Sequence, residues 1–242
     1  KALPYNPGDA ELLHLTALAY IRGGRRKVGQ GFLLKALKQT PGHADSNNTM
    51  AVLLLEDGRT DKAITALETA LRSEPDNIRA LRNLGKVLRD VDRLDEALVT
   101  YQKLGELLPE DGSIQNVVGT LLMNRGDFSL AKDHLRRSVT LDPDHGGSWL
   151  LLVELNGDIS DADIEAMRQA LQRQLQMPQK GQQMATALFR VFEARKDYKT
   201  AGPFLLLSND LRSRADNHDI SIDEEKMSRI AAFTGPEFIN GP

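Results

Sequence analysis

The sequence predicts an all-α protein, a right-handed α-solenoid of stacked helix-turn-helix repeats ending in a C-terminal capping helix. Three observations predict it. Pro7, Pro41, Pro75, Pro109 and Pro143 stand 34 residues apart without a slip, so one unit has been copied along the chain. Midway between them come Gly24, Gly58, Asp92 and Gly126, each followed five residues later by a small residue, Gly29, Ala63, Ala97 or Ala131. A second small series, Ala17, Ala51, Gly85 and Gly119, lies inside apolar stripes with the period of a buried helical face.

Each element follows from these markers. Proline cannot continue a helix, so Glu74-Pro75-Asp76, Leu108-Pro109-Glu110 and Asp142-Pro143-Asp144 end one helix, and the next begins two or three residues on. The first helix of each unit carries the small residue at 17, 51, 85 or 119. It is preceded by Thr16, Met50, Leu84 or Val118 and followed a turn later by Tyr20, Leu54, Leu88 or Leu122, all expected in the core. Four regular repeats are thereby expected at 10–43, 44–77, 78–111 and 112–145. Residues 1–9 read as the end of a preceding unit, with Lys1 to Asn6 as the tail of its second helix.

After Pro143 the ladder slips, because the next proline is Pro178. Residues 146–180 are expected to form a divergent repeat, with a helix from Gly147 to Asn156 stopped by Gly157-Asp158. Ser160-Asp161-Ala162-Asp163 has capping-box spacing with Asp in place of Glu and should open a helix to about Leu175. A sixth unit is expected at 181–214, with Leu188, Phe189, Phe192, Tyr198 and Ala201 as its core. Ser221-Ile222-Asp223-Glu224 is a capping box that predicts a last helix to about Phe233, so 215–242 read as a capping helix and linker.

The period and the helix-turn-helix plan resemble the tetratricopeptide repeat, and Trp149 falls where that family commonly places a large aromatic. The resemblance implies a binding scaffold rather than a catalyst.

Composition limits the partners. The 242 residues are 40% hydrophobic and 27% charged, as in a soluble globular protein, and the net charge of -3 announces neither a nucleic-acid nor a membrane partner. With no cysteine there is no disulfide framework or thiolate metal site, which is neutral between cytosol and periplasm; a cytoplasmic location is expected. No run approaches the roughly 18 apolar residues of a membrane span.

Chemical motifs are missing. His14, His43, His134, His145 and His218 are never paired at the i,i+4 spacing of a zinc helix, and they are expected to be solvated or in loops, with no metal site. Asp142 and Asp144 begin like a calcium loop, but Val153 stands where a bidentate Glu is required. No phosphate-binding glycine loop, nucleophile elbow or dinucleotide fingerprint occurs. No catalytic residue and no cofactor is expected.

The candidate site is the concave surface that first helices line in such a stack. On the third unit Arg79, Arg82, Asn83, Lys86 and Arg89 share one helical face, a basic strip. Asn48 is expected beside it on one flank and Asn116 and Thr120 on the other, with Arg190 and Gln183 further along. Guanidinium groups clamp carboxylates and amide side chains pair with a peptide backbone, so the strip suits an extended, acidic peptide or a partner protein. The competing reading is a solvated face neutralised by Asp45, Glu56 and Asp90. The strip is short and lacks interleaved aromatics, which disfavours nucleic acid. The set differs from the chaperone-tail clamp of two lysines, two asparagines and one arginine.

Two further stretches, from Ala187 through Tyr198 to Ala201 and from Ser208 to Arg214, resemble the last repeat of bacterial proteins that join such repeats to a sulfotransferase domain. The run Phe233-Thr-Gly-Pro-Glu-Phe238 is similar to the stretch leading into that domain. Phe189 and the Gly202-Pro203 pair depart from the pattern, and Gly202-Pro203 is expected to interrupt the second helix. The resemblance implies a parent polypeptide whose attached domain transfers sulfuryl from 3'-phosphoadenosine 5'-phosphosulfate, with the catalytic residues outside this chain. Three functions compete: a scaffold presenting a peptide, a support for the fold or dimerisation of a sulfotransferase, and a structural assembly module using its convex face.

Overall fold

The computed structural model describes residues 9–215, all of whose regular elements are helices. The expected end of a preceding repeat at Lys1 to Asn6, the capping box at Ser221, the run from Phe233 to Phe238 and His218 lie outside them. The chain divides after Pro109 into two compact units. The first holds α1 (Ala10–Arg22), α2 (Arg26–Gln39), α3 (Ala44–Glu56), α4 (Thr60–Ser73), α5 (Ile78–Asp90) and α6 (Leu94–Leu107). The second holds α7 (Gly112–Arg125), α8 (Phe128–Leu141), α9 (Gly146–Glu154), α10 (Asp161–Gln174), α11 (Pro178–Ala194) and α12 (Tyr198–Ala215). Both are all-α stacks of helical repeats.

The 34-residue period reappears in the helix caps. Asp9, His43, Asn77, Asp111 and His145 are the N-caps of α1, α3, α5, α7 and α9, and each accepts a hydrogen bond from a backbone N–H of the first turn. A cap satisfies one of the four N–H groups that a helix start leaves unpaired, and Ser, Thr, Asp or Asn usually supplies it. Here two histidines do so, through Nδ1 at 3.3 Å from the Ser46 N–H and 3.1 Å from the Ser148 N–H.

The turn within each repeat is set by one left-handed residue. Gly24, Gly58 and Gly126 have φ of 76°, 70° and 91°, and Asp92 takes the same place at 62°. Asn156 and Lys196 continue the series at 52° and 58°, so the divergent repeats keep the turn without its glycine.

The small residues mark where helices cross. Ala17, Ala51, Ala63, Ala97 and Ala131 have no exposed surface. A Cβ on Gly85 would lie 2.8 Å from the Tyr101 ring, and one on Gly119 would lie 2.8 Å from Leu135 Cγ. Met50, Leu84, Val118, Leu54, Leu88 and Leu122 are buried as expected, whereas Thr16 and Tyr20 are half-buried, and Tyr20 stacks on Phe32 with centroids 5.4 Å apart.

In the second unit α9 packs against α8 and α11, and α10 against α11. Trp149 is buried and donates its indole N–H to the Pro143 carbonyl at 2.9 Å. The capping box at Ser160 forms as expected, with Asp163 N donating to Ser160 Oγ and Ser160 N to Asp163 Oδ2. The helix α9 ends at Glu154, two residues before the expected end, because Asn156 already has the left-handed backbone.

Two expectations for the last hairpin are corrected. Gly202-Pro203 does not interrupt the helix, since α12 runs through it from Tyr198 to Ala215. Pro203 is the sixth residue of α12, close to the helix start, so its missing N–H removes one early bond while its ring is buried. Tyr198 is no core residue: at the first position of α12 it is 66% exposed, while Leu188, Phe192, Ala201 and Phe204 fill the core and Phe189 is half-buried. Phe192 and Phe204 stack at 5.7 Å, and Arg168 lies over both rings.

Candidate functional site

In the first unit α1, α3 and α5 are the first helices of their repeats, and α3 packs against both of the others. Side chains one period apart therefore meet. Arg79 Nη1 donates to Asp45 Oδ1 at 3.3 Å across a separation of 34 residues. Asn83 Nδ2 donates to Asn48 Oδ1 at 2.7 Å, and a His14–Thr49 contact of 3.0 Å repeats the pattern one helix earlier. Asn48 and His14 are buried, while Asp45 and Asn83 are half-buried. The Arg79–Asp45 pair is at the surface, with the arginine side chain 70% exposed, and is worth about 0–1 kcal/mol.

Arg82, Lys86 and Arg89 are exposed on α5. Next to the asparagine pair is a cleft of about 480 Å³, lined by Val52, Leu55 and Glu56 of α3, Thr60 of α4, and Asn83, Lys86, Val87, Asp90 and Val91. Its lining is amphipathic, with valines and a leucine beside one ammonium, two carboxylates and an amide. Glu56 is also engaged from α2, where Arg26 pairs with it, reaches Asp57 at 2.6 Å and donates to the Leu53 carbonyl at 2.7 Å. The neutralising carboxylates expected for the basic strip are thus divided. Asp45 takes Arg79, Arg26 takes Glu56, and Asp90 lines the cleft with Lys86.

The remaining candidates lie in the second unit. Asn116 Nδ2 donates to Ser148 Oγ at 2.8 Å, and Thr120 Oγ1 to the Asn116 carbonyl at 2.9 Å. Ser148 also meets Ser138, which donates to the Gly112 carbonyl at 2.7 Å, and the ring of His145. This polar network ties α7, α8 and α9 together, and its buried members are hydrogen-bonded, as burial requires. Arg190 donates to Glu193 at 2.8 Å, lies over the Phe189 ring, and lines a shallow cleft of about 280 Å³ with Val153, Glu154 and Asn156. Gln183 joins Gln179, Gln182 and Arg212 around a third cleft of about 540 Å³.

Sequence reasoning missed the apolar half of the first cleft, because Val52, Leu55, Val87 and Val91 fall beside the polar strip rather than in it. The signal was available, since Val52 on α3 and Val91 at the C-cap of α5 are apolar outside the core stripe. It also missed two arginines that fix the 155–160 connection. Arg136 pairs with Asp163 and donates to the Asp158 carbonyl, and Arg195 reaches Asp161 at 2.7 Å and the Ile159 carbonyl at 2.8 Å. The histidine expectation is corrected too. His14 is a buried helix residue, whose pKa burial pushes below its ordinary value, and His134 is shifted the same way by half-burial, with its ring 2.8 Å from Gln115 Oε1.

Comparison with known proteins agrees with this geometry. Two family models, both described as tetratricopeptide repeat, match residues 27–84 and 54–121 and residues 113–145. Residues 27–145 therefore match tetratricopeptide repeats. Among solved structures it is similar to pilF of Pseudomonas aeruginosa, at 20% identity over 92% of this chain and 96% of that one with a TM-score of 0.59. YrrB, a TPR protein with an unusual peptide-binding site, aligns at 20% identity over 79% and 94% of the two chains with a TM-score of 0.59. MamA from Desulfovibrio magneticus RS-1 aligns at 17% identity over 69% and 96% with a TM-score of 0.56. At such identities the likeness is one of fold. No curated protein matches the chain in sequence. Among the described residues no helix is long and apolar enough to cross a membrane.

Proposed function

We propose that the chain is a protein-interaction scaffold that holds an extended peptide of a partner protein in the cleft between α3 and α5. The observation that carries this reading is the amphipathic lining: Val52, Leu55, Val87 and Val91 give an apolar floor beside Asn83, Lys86, Glu56 and Asp90. A peptide side chain entering the cleft buries apolar surface at about 25 cal/mol per Å², while the Asn83 amide is placed to pair with a peptide backbone. Arg82, Lys86 and Arg89 add a cationic border on α5 that favours an acidic peptide, whose carboxylates they would approach in water-exposed, salt-sensitive contacts. Asn48 holds Asn83 and so orients it.

The test is peptide capture by the double variant Arg82→Glu with Lys86→Glu, read by fluorescence polarisation against a library of acidic and neutral peptides. Binding should fall while the melting temperature stays nearly unchanged, since both side chains are exposed. Unaltered binding would sink the reading.

A second reading rests on the stretches from 187 to 201 and from 208 to 214, whose resemblance points to a parent polypeptide with a sulfotransferase domain. The departure at Gly202-Pro203 does not break that unit, since α12 runs through it. Assaying the parent polypeptide for sulfuryl transfer from 3'-phosphoadenosine 5'-phosphosulfate tests it, and a parent without such activity would refute it.

A further inference from the structure

At one end of the first unit three potential ligands converge from two repeats, and a fourth, His43, lies beside one of them. One ring nitrogen of His14 and a carboxylate oxygen each of Glu11 and Asp45 lie within 4.8 Å of one another. His43 Nε2 is 3.3 Å from Glu11 Oε2, and the two imidazole rings are 5.8 Å apart. The convergence follows from the repeat. Glu11 and Asp45 are one period apart, His14 is one turn beyond Glu11 on α1, and His43 is the N-cap of α3.

The hydrogen bond of His14 leaves a lone pair on its ring, and a change of tautomer frees one on His43. His14 Nε2 is 3.0 Å from the Thr49 hydroxyl. With Nε2–H donating there, Nδ1 is a bare acceptor, and it is fully buried with no hydrogen-bond partner. The residue itself is only 2% exposed. A buried polar atom without a partner costs about 1–3 kcal/mol, so this nitrogen is stabilised by a donor hydrogen or a cation. His43 Nδ1 is 2.8 Å from Ser46 Oγ. With Nδ1–H donating to that oxygen, Nε2 is free to coordinate, and the weaker 3.3 Å cap contact with the Ser46 N–H is given up. A second hydrogen bond on the far ring nitrogen is the arrangement that orients metal-bound histidines.

We propose that Glu11, His14, His43 and Asp45 form a binding site for one divalent transition-metal ion of the zinc class. Two imidazoles and two carboxylates are a borderline donor set, which suits zinc or cobalt better than calcium or magnesium. Tetrahedral coordination at about 2.1 Å places ligand atoms roughly 3.4 Å apart. The His43–Glu11 separation already has that value, and rotation of the exposed Glu11 and half-buried Asp45 side chains draws in the rest. Arg79 competes, since it holds Asp45 in the absence of a metal. Metal binding releases Arg79 and ties α1 to α3 through coordinate bonds.

The experiment titrates the whole chain with zinc by isothermal calorimetry and with cobalt by visible absorption, using magnesium and calcium as comparisons. One ion per chain is expected, with a tetrahedral cobalt spectrum and a melting temperature raised by zinc but not by magnesium. Glu11→Gln and Asp45→Asn change exposed or half-buried groups and should leave the fold intact while weakening zinc by at least about tenfold each. Arg79→Ala should tighten zinc binding, an effect that mere destabilisation would not produce. His14→Gln should abolish the cobalt spectrum; should it fail to fold, the Glu11, Asp45 and Arg79 variants still decide. The proposal is overturned if zinc does not bind, if the Glu11 and Asp45 variants bind it as tightly as the parent chain, or if magnesium and calcium bind equally well.

Discussion

Gly29 and Gly31 stand two residues apart on α2, and alanine should move stability in opposite directions at the two. In a helix interior Gly→Ala gains about 1 kcal/mol, because alanine has less backbone freedom to lose on folding. At Gly31, which is exposed, an added Cβ would meet nothing within 4 Å, so the full gain is available. For a chain of this size about 1 kcal/mol corresponds to a rise of roughly 2–4 °C in Tm. At Gly29 the added Cβ would lie 2.6 Å from Ile21 Cγ1 and 2.8 Å from the Ala17 carbonyl oxygen. The isoleucine can turn aside, but the carbonyl belongs to the backbone of α1, so the two helices must separate. Overpacking of this kind costs about 1–3 kcal/mol, which leaves a net loss of about 0–2 kcal/mol after the helical gain. The comparison is sharp because Ala63, Ala97 and Ala131 occupy the equivalent place in the next three repeats, so the repeat pattern alone recommends alanine. Urea titrations followed by far-UV circular dichroism would measure both variants and their combination. A midpoint for Gly29→Ala raised as far as that for Gly31→Ala would refute the reasoning.

Three further outcomes are expected. Leu135→Ala removes a fully buried side chain that packs where Gly119 lacks one, and should cost about 2–5 kcal/mol in urea titrations; a loss below about 1 kcal/mol would mean that the second unit collapses around the gap. Asp92→Gly relieves a left-handed backbone at φ 62° and should stabilise by about 0.5–1 kcal/mol in thermal melts, so any decrease would assign the Asp92 side chain an interaction of its own. His14 and His134 have pKa values lowered by burial from the ordinary 6.5, so the unfolded chain binds protons first as the pH falls. Stability should therefore be complete above 6.5 and decline below it until the folded-state values are passed, and His134→Gln should flatten that slope; an unchanged slope would remove His134 from the account.

The legible part of this protein is the part governed by short stretches of chain. The helix starts at Ala10, Ala44, Ile78 and Gly112 follow from a proline three residues before, and the turns follow from a left-handed residue midway. The buried alanines and glycines were legible as well, since their spacing repeats where helices cross. The candidate site was legible only in outline. The face carrying Arg79, Arg82, Asn83, Lys86 and Arg89 is a property of one helix, but the partners of those residues are not. Asp45 and Asn48 come from the preceding repeat, and whether they pair with α5 depends on how far α3 is offset along it. Tyr198 and Pro203 show the same limit in the last hairpin, where a residue's distance from the helix start decided between core and surface and between break and continuation.

The sequence by itself determined the class of fold, the repeat length and the places of the helix starts and turns, because backbone sterics act over a few residues and recur with each copy. Only the tertiary structure decided which polar side chains meet. It joined Arg79 to Asp45, Asn83 to Asn48, and Glu11 to His14, His43 and Asp45. Those contacts cross from one repeat to the next over a few ångströms, and at that range the packing of one helix on another, not the spacing along the chain, sets the distance.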